Sequence, residues 1–200
     1  MIVLFIVYEW ERRVLEVLRE PLESGHIVIS RAARQAEFPA RFQLISAMNP
    51  CPCGWYGDPS GRCHCSAEQV ARYRGRISGP LLDRIDLVVE VPRLQAQELR
   101  ADGRRSESSS EVAQRVLAAR QQQLSRGELN AHLSQGLLNT HCRLNPDSQT
   151  LLDHAIDRLQ LSARASQRIL RVARTIADLQ GDPNITQTAL AEAISFRRMA

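Results

Sequence analysis

Four of the five cysteines fall in one short stretch, as Cys51-Pro-Cys53 and Cys63-His-Cys65. Thiolates bind Zn²⁺ tetrahedrally, and two short pairs on one loop can bring four sulfurs to a point. A site closed by four sulfurs is structural, because catalytic zinc keeps an open position. Pro52 and Gly54 suit the tight turn around the first pair. The spacing departs from the commoner Cys-x-x-Cys. His64 is an alternative ligand, and a reduced, metal-free loop is the competing reading. The neighbouring Trp55 and Tyr56 can either stack on nucleic-acid bases or pack against this knuckle.

The remaining chemistry-bearing candidates are an asparagine and several arginines. Asn49 follows an apolar run, Phe42 to Met48, and a polar side chain at a strand's carboxyl end sits where α/β sheets bind ligands. Asn-Pro is also a common turn. Arg84 lies in Leu81-Leu-Asp-Arg-Ile-Asp86. An arginine at a subunit boundary can stabilise a transferring γ-phosphoryl in a neighbour's site; the competing use is a salt bridge to Asp83 or Asp86. Arg164 and Arg168 fall in the first two turns after Ser162, where a helix N-terminus favours anions. With Arg171 and Arg174 they read equally as a solvated basic face. Arg72, Arg74 and Arg76 interleave with Tyr73 and Gly75, and with Arg31 and Arg34 they are the candidates for DNA phosphates, which need clustered positive charge.

The elements that must position these residues divide into an α/β part and an all-α part. Residues 1–7 read as a strand, too short to span a membrane and without the basic flank of a signal peptide. Glu9 to Leu22 has apolar residues near helical spacing, with Pro21 expected to end or bend the helix. Residues 26–31 and Phe42 to Met48 read as strands, and the two are expected to form a hairpin tipped by Arg31 and Arg34. The polar segment Ala32 to Glu37 is the turn between them. Glu68 to Arg76 reads as a helix and Ile85 to Val91 as a further strand closed by Pro92.

Residues 100–110 are polar and aperiodic, so 93–110 reads as a linker between an α/β part at 1–92 and a helical part at 111–200. There, Val112, Val116 and Leu117 share a face. Asn145 and Pro146 start a helix with Leu151, Leu152, Ala155, Ile156 and Leu159 as its apolar stripe. Ser162 caps the next, which turns Ile169, Leu170, Ala173, Ile176 and Ala177 inward and ends at Gly181. A last helix runs from about Thr186 to Arg198.

Composition narrows the chemistry. The chain has 200 residues, a net charge of +4 and 26 basic residues, every one of them arginine. With no lysine, no lysine phosphate ligand, Schiff base or general base is available. Clustered cysteines without a secretory segment favour a reducing cytoplasm and metal binding over disulfides. Cys142, alone, reads as a small core residue.

Read in order, five stretches resemble the magnesium-chelatase-like AAA+ ATPases of the ComM/YifB type. They are Glu11 to Glu23, Ile29-Ser-Arg-Ala32, Ala47-Met-Asn-Pro-Cys-Pro-Cys-Gly54, Tyr73-Arg-Gly-Arg-Ile-Ser-Gly-Pro-Leu-Leu-Asp-Arg-Ile-Asp86, and Arg168-Ile-Leu-Arg-Val-Ala-Arg-Thr-Ile-Ala-Asp178. The resemblance covers roughly residues 11–200. It implies a truncated AAA+ (P-loop NTPase) core with a β-hairpin and a four-cysteine loop, followed by a helical lid. It implies Asn49 as first sensor, Arg84 as arginine finger on the next subunit's ATP, and Arg164 as second sensor, with Arg168 beside it at the nucleotide. Residues 27–43 would be the hairpin facing a ring's pore, with Arg31 on DNA. ATP with Mg²⁺, a homo-hexamer of AAA+ subunits and branch migration of DNA in natural transformation follow as expectations.

This sequence departs from that pattern in two places. No Gly-x-x-x-x-Gly-Lys-[Ser/Thr] occurs, and without lysine none can. The strand expected to end in the family's Asp-Glu pair reads Val3-Leu-Phe-Ile-Val-Tyr-Glu-Trp10, with Glu9 its only acid. These 200 residues are therefore expected to hydrolyse no ATP by themselves. The competing expectations are a DNA-binding or assembly module that joins or poisons intact rings, a magnesium chelatase-type subunit, and a degraded or misread gene product.

Overall fold

The computed structural model describes residues 2–6 (backbone only), 10–31, 34–94 and 107–197. It divides into two compact units, Met1–Ile85 and Asp86–Ala200. The expected linker at 93–110 lies mostly outside the described residues.

In the first unit, strand β1 (Ile2–Ile6) pairs in parallel with β4 (Gln43–Ala47), from Ile2 against Gln43 to Ile6 against Ala47. Strands β2 (His26–Arg31) and β3 (Arg34–Pro39) form a separate antiparallel hairpin. This corrects the expectation that residues 26–31 pair with 42–48. The segment expected as a turn is itself a strand, and Arg31 does sit opposite Arg34 at the tip. β3 is exposed along its whole length, so nothing selected an apolar face that alternation could reveal.

The expected helix over 9–22 is two. Helices α1 (Arg12–Val17) and α2 (Arg19–Ser24) meet at Leu18, and Pro21 lies in the first turn of α2. Proline has no N–H to offer the carbonyl four residues back but is tolerated in a first turn, so the break falls ahead of it. α2 ends on Gly25, whose φ of 74° supplies a left-handed cap. Leu15 and Leu81 form a small core with Trp10, Leu18, Leu22, Leu44 and Ile77.

Helix α3 (Ala67–Arg74) starts at a reciprocal capping box, in which Ser66 and Gln69 satisfy each other's backbone N–H groups. Its Val70 and Tyr73 are buried. The one-turn helix α4 (Gly79–Leu82) is capped by Ser78.

The second unit is helical: α5 (Ser109–Ser125), α6 (Gln135–His141), α7 (Pro146–Leu159), α8 (Ala163–Gln180) and α9 (Gln187–Ser195). The caps read from sequence are in place. Asn145 Oδ1 accepts from the Ser148 backbone N–H at 2.8 Å, Ser162 Oγ accepts from Ala165 at 3.2 Å, and Gly181 closes α8 with φ 77°. The core gathers Leu133, Leu138, Cys142, Leu152, Ala155, Ile169, Ala173, Ile176, Ala177, Ile185, Leu190 and Ile194. Val112, Val116 and Leu117 stay exposed on α5, which turns Ala119 and Gln123 inward instead.

A second correction concerns 85–91, expected as a strand. It is irregular, and Leu87, Val89 and Val91 are exposed. Its backbone is not left bare: the Val88 N–H donates to the Phe196 carbonyl at 3.2 Å. Alternation marks a strand only where a neighbouring strand pairs with it, and among the described residues none does.

Candidate metal centre and its arginine surround

The knuckle follows β4 directly. Its turns are set by glycines in the left-handed region, Gly54 at φ 80° and Gly57 at φ 82°. A hydrogen bond from the Gly54 N–H to the Cys51 carbonyl, 3.0 Å, closes the first turn. The result brings Cys51, Cys53, Cys63 and Cys65 together, with all four sulfurs within 4.8 Å of one another. The Sγ atoms of Cys51 and Cys53 are 3.3 Å apart, Cys53 and Cys63 3.7 Å, and Cys51 and Cys63 3.9 Å. A tetrahedron of sulfurs about 2.3 Å from zinc has edges of about 3.8 Å. The quartet fits that ion and is too open for disulfides, whose sulfurs lie about 2 Å apart.

The backbone prepares the site electrostatically. N–H groups of Trp55 and His64 point at the Cys53 sulfur and hold its thiol down to about 6. Cys65 is pushed the other way, to about 12. The Cys53 backbone favours its thiolate, but burial and the Cys53 and Cys51 sulfurs outweigh that. One thiol is ready to bind as a thiolate at neutral pH while another waits for a cation to displace its proton. Cys51 is fully buried. His64 is exposed, and the four sulfurs leave it no ligand's role. Cys142 belongs to the second unit's core, and burial pushes its thiol up to about 11.

Trp55 and Tyr56 each carry an arginine on the ring. The Arg62 guanidinium lies 4.5 Å from the Trp55 centroid, and the Arg74 guanidinium 4.9 Å from that of Tyr56. Arg74 Nε also donates to the Pro50 carbonyl at 3.3 Å. Arg74 is therefore built into the knuckle. Arg72 and Arg76 instead line a cleft against Cys53, Cys65 and His64. Arg31 and Arg34 line a separate shallow cleft on the hairpin with Ile29, Ala36 and Phe38.

Asn49 is exposed just beyond β4. A Cβ on Gly54 would lie 3.9 Å from its amide, so asparagine and knuckle are neighbours. Arg84 reaches back to α2 and to the start of its own turn. Its Nε donates to the Arg19 carbonyl at 3.0 Å, one terminal nitrogen donates to the Pro80 carbonyl at 2.7 Å, and the other pairs with the Glu23 carboxylate. Sequence reading missed Glu23, because sixty-one positions separate it from Arg84 and no local pattern links them.

In the second unit, Arg164 is exposed near the start of α8. Arg168 pairs with Asp86 at 2.6 Å. The basic face does not continue beyond them. Arg171 is half-buried, donates to the Leu133 carbonyl at 2.8 Å, and is shifted down by burial and by Arg168. Arg174 is 1 % exposed and bonds Asp178 and the carbonyls of Pro183 and Asp182. Among the described residues no helix is long and apolar enough to cross a membrane.

Comparison with known proteins agrees with the order of these motifs. Residues 1–99 match the family model described as magnesium chelatase, subunit ChlI, and residues 106–197 match that of the ChlI C-terminal region. The chain is 49% identical over 192 residues to Competence protein ComM of Haemophilus influenzae, covering 96% of this chain and 37% of that protein. It is 46% identical over 190 residues to the uncharacterised protein YifB of Escherichia coli, covering 94% and 37%. An uncharacterised protein of Mycobacterium bovis is 44% identical over 190 residues, covering 92% and 37%. The chain thus spans a little over a third of the length of these relatives. It belongs to the magnesium-chelatase-like AAA+ family of the ComM and YifB type.

Proposed function

We propose that the chain supplies the sensor, finger and lid parts of an ATP-driven, DNA-remodelling hexameric ring working in the cytoplasm. The observation that carries this reading is its 49% identity, along nearly the whole chain, to a competence protein. In it, Met1–Ile85 is part of an AAA+ core and the helices from α5 onward are the lid. Asn49 orients the attacking water. Arg84 reaches the neighbouring subunit's ATP, where a guanidinium offsets charge that develops on the transferring phosphoryl. Arg164, with Arg168, reads the nucleotide from the lid. Arg31 and Arg34, at the hairpin tip, meet DNA phosphates.

ATP and Mg²⁺ bind in the assembled ring; the 200 residues alone, without a phosphate-binding lysine, hydrolyse none. Zinc in the quartet supplies structural closure, clamping the loop that joins β4 to α3 and so fixing Asn49 against it. The test mixes the chain with full-length ComM of Haemophilus influenzae. A subunit that enters the ring with an incomplete nucleotide site lowers the DNA-stimulated ATPase rate. An unchanged rate at large molar excess overturns the reading.

A further inference from the structure

Register sorts the side chains of the β2–β3 hairpin into two unlike faces. Burial does not distinguish them, because β3 is exposed throughout. Ile27, Ile29 and Arg31 share one face with Phe38, Ala36 and Arg34, their partners across the pair. Val28, Ser30, Gln35 and Glu37 share the other, where Glu37 lies 3.8 Å from His26. The first face is thus apolar with two arginines at its tip, and the second is polar. On the apolar face Ile29 is 48% and Phe38 49% exposed, so two large side chains stay half in water. With Arg31, Arg34 and Ala36 they line one cleft of about 360 Å³.

We propose that this cleft seats a nucleotide of single-stranded DNA, with its phosphate between Arg31 and Arg34 and its base over Ala36 against Phe38. The proposal rests on the DNA-handling reading above, and it names the form of DNA and the ligand atoms that each side chain meets. Like charges set directly opposite each other across two strands repel, and Arg31 stands opposite Arg34. An anion between the two guanidiniums relieves both. The acid nearest to them in sequence, Glu37, turns to the other face, toward His26. Ala36 is the small residue of its row, and it leaves a notch between Ile29 across the pair and Phe38 two positions on. Two residues of strand rise about 6.6 Å, a span that a sugar bridges between a phosphate and its own base. An aromatic face stacks on any base, and Phe38 carries no group that reads a base edge, so the seat is indifferent to sequence. A duplex turns its bases inward on each other and can give this cleft only phosphates. The exposed ring is therefore what selects an unpaired strand.

The experiment measures binding of the chain to fluorescent oligothymidylate, to a mixed-sequence single strand and to a duplex of the same length, across a salt series. Arg31→Gln with Arg34→Gln removes one phosphate contact, which flattens the slope of log K against log salt by about 0.7 on a single strand. Phe38→Ala is expected to weaken binding of both single strands about tenfold, within the usual value of one base–aromatic stack, with the slope and the duplex affinity unchanged. Phe38→Tyr keeps a ring face and is expected to bind like the parent, which separates stacking from damage to the hairpin. A single-strand affinity of Phe38→Ala equal to the parent's overturns the cleft and, with the arginine pair still weakened, spares the DNA reading. A loss in Phe38→Tyr as large as that in Phe38→Ala, or an equal loss on the duplex, also overturns the proposal. A self-associated parent that Phe38→Ala makes monomeric, with DNA binding unchanged, would assign the face to a second copy and overturns it too. No binding by the parent to any of the three at low salt overturns both the proposal and the reading on which it rests.

Discussion

Asp178 is the most consequential single side chain for the helical unit. It sits in the last turn of α8 with no exposed side-chain surface. Its carboxylate accepts from Arg126 at 2.9 Å, Arg174 Nε at 3.1 Å and Asn130 Nδ2 at 2.8 Å. Asp178→Ala leaves the Arg174 charge buried without a counter-ion, and breaking one side of a buried pair costs about 3–5 kcal/mol. Arg126, at 21% exposed, regains water and adds little. Asn130 keeps Thr175 at 3.1 Å. The expected loss is therefore about 4 kcal/mol, or a fall in Tm of about 15 °C for a unit of this size. Urea titration and thermal melting of the chain measure it, with Arg158→Ala on the exposed face of α7 as a control expected to stay within about 0.5 kcal/mol. The pair of changes Asp178→Leu and Arg174→Met should recover about half of the loss, because it removes both charges together. The carbonyls of Pro183 and Asp182 would then each lose a donor, leaving about 1 kcal/mol apiece unrecovered. A single variant within about 1 kcal/mol of the parent, or a double variant worse than the single, would refute the reasoning.

Protein purified without chelator should contain about one zinc per chain and lose it in Cys51→Ser; a value near zero with four titratable thiols in the parent removes the metal centre. Stripped of metal, Cys53 should alkylate with a half-maximal rate near pH 6, because its thiol is held down to about 6, while Cys142, pushed up to about 11, stays inert. A half-maximal rate near the ordinary thiol value of about 8.5 would contradict this.

What the sequence revealed depended on how far each signal reaches along the chain. Asn145, Ser162 and Gly181 act within one helical turn, so the start of α7 and both ends of α8 were legible. The quartet was legible because ligand chemistry is written in residue type. The pairing of β2 was not, because Arg34, Gln35 and Glu37 make a strand exposed throughout look like a turn. The strand expected at 85–91 failed for the opposite reason: its alternation is real, but pairing depends on a neighbour that the local pattern cannot supply. α6 carries only Leu137 and Leu138 as apolar signal and passed unread. At the site, residue type pointed to Arg72, Arg74 and Arg76 as one group. Only side-chain direction separates Arg74, which lies over Tyr56, from the two that face the cleft.

The parallel pairing of β1 with β4 has a consequence for the order of folding. Ile2 meets Gln43 only after all the intervening chain has been brought round, whereas β2 and β3 are adjacent and close within microseconds. The hairpin therefore forms early and the parallel pair late, after loop-closure entropy has been overcome. During that interval the hydrogen-bonding groups of β4 stand open to another copy of the same strand. Refolding yield should accordingly fall as protein concentration rises, with β4 as the segment that mispairs.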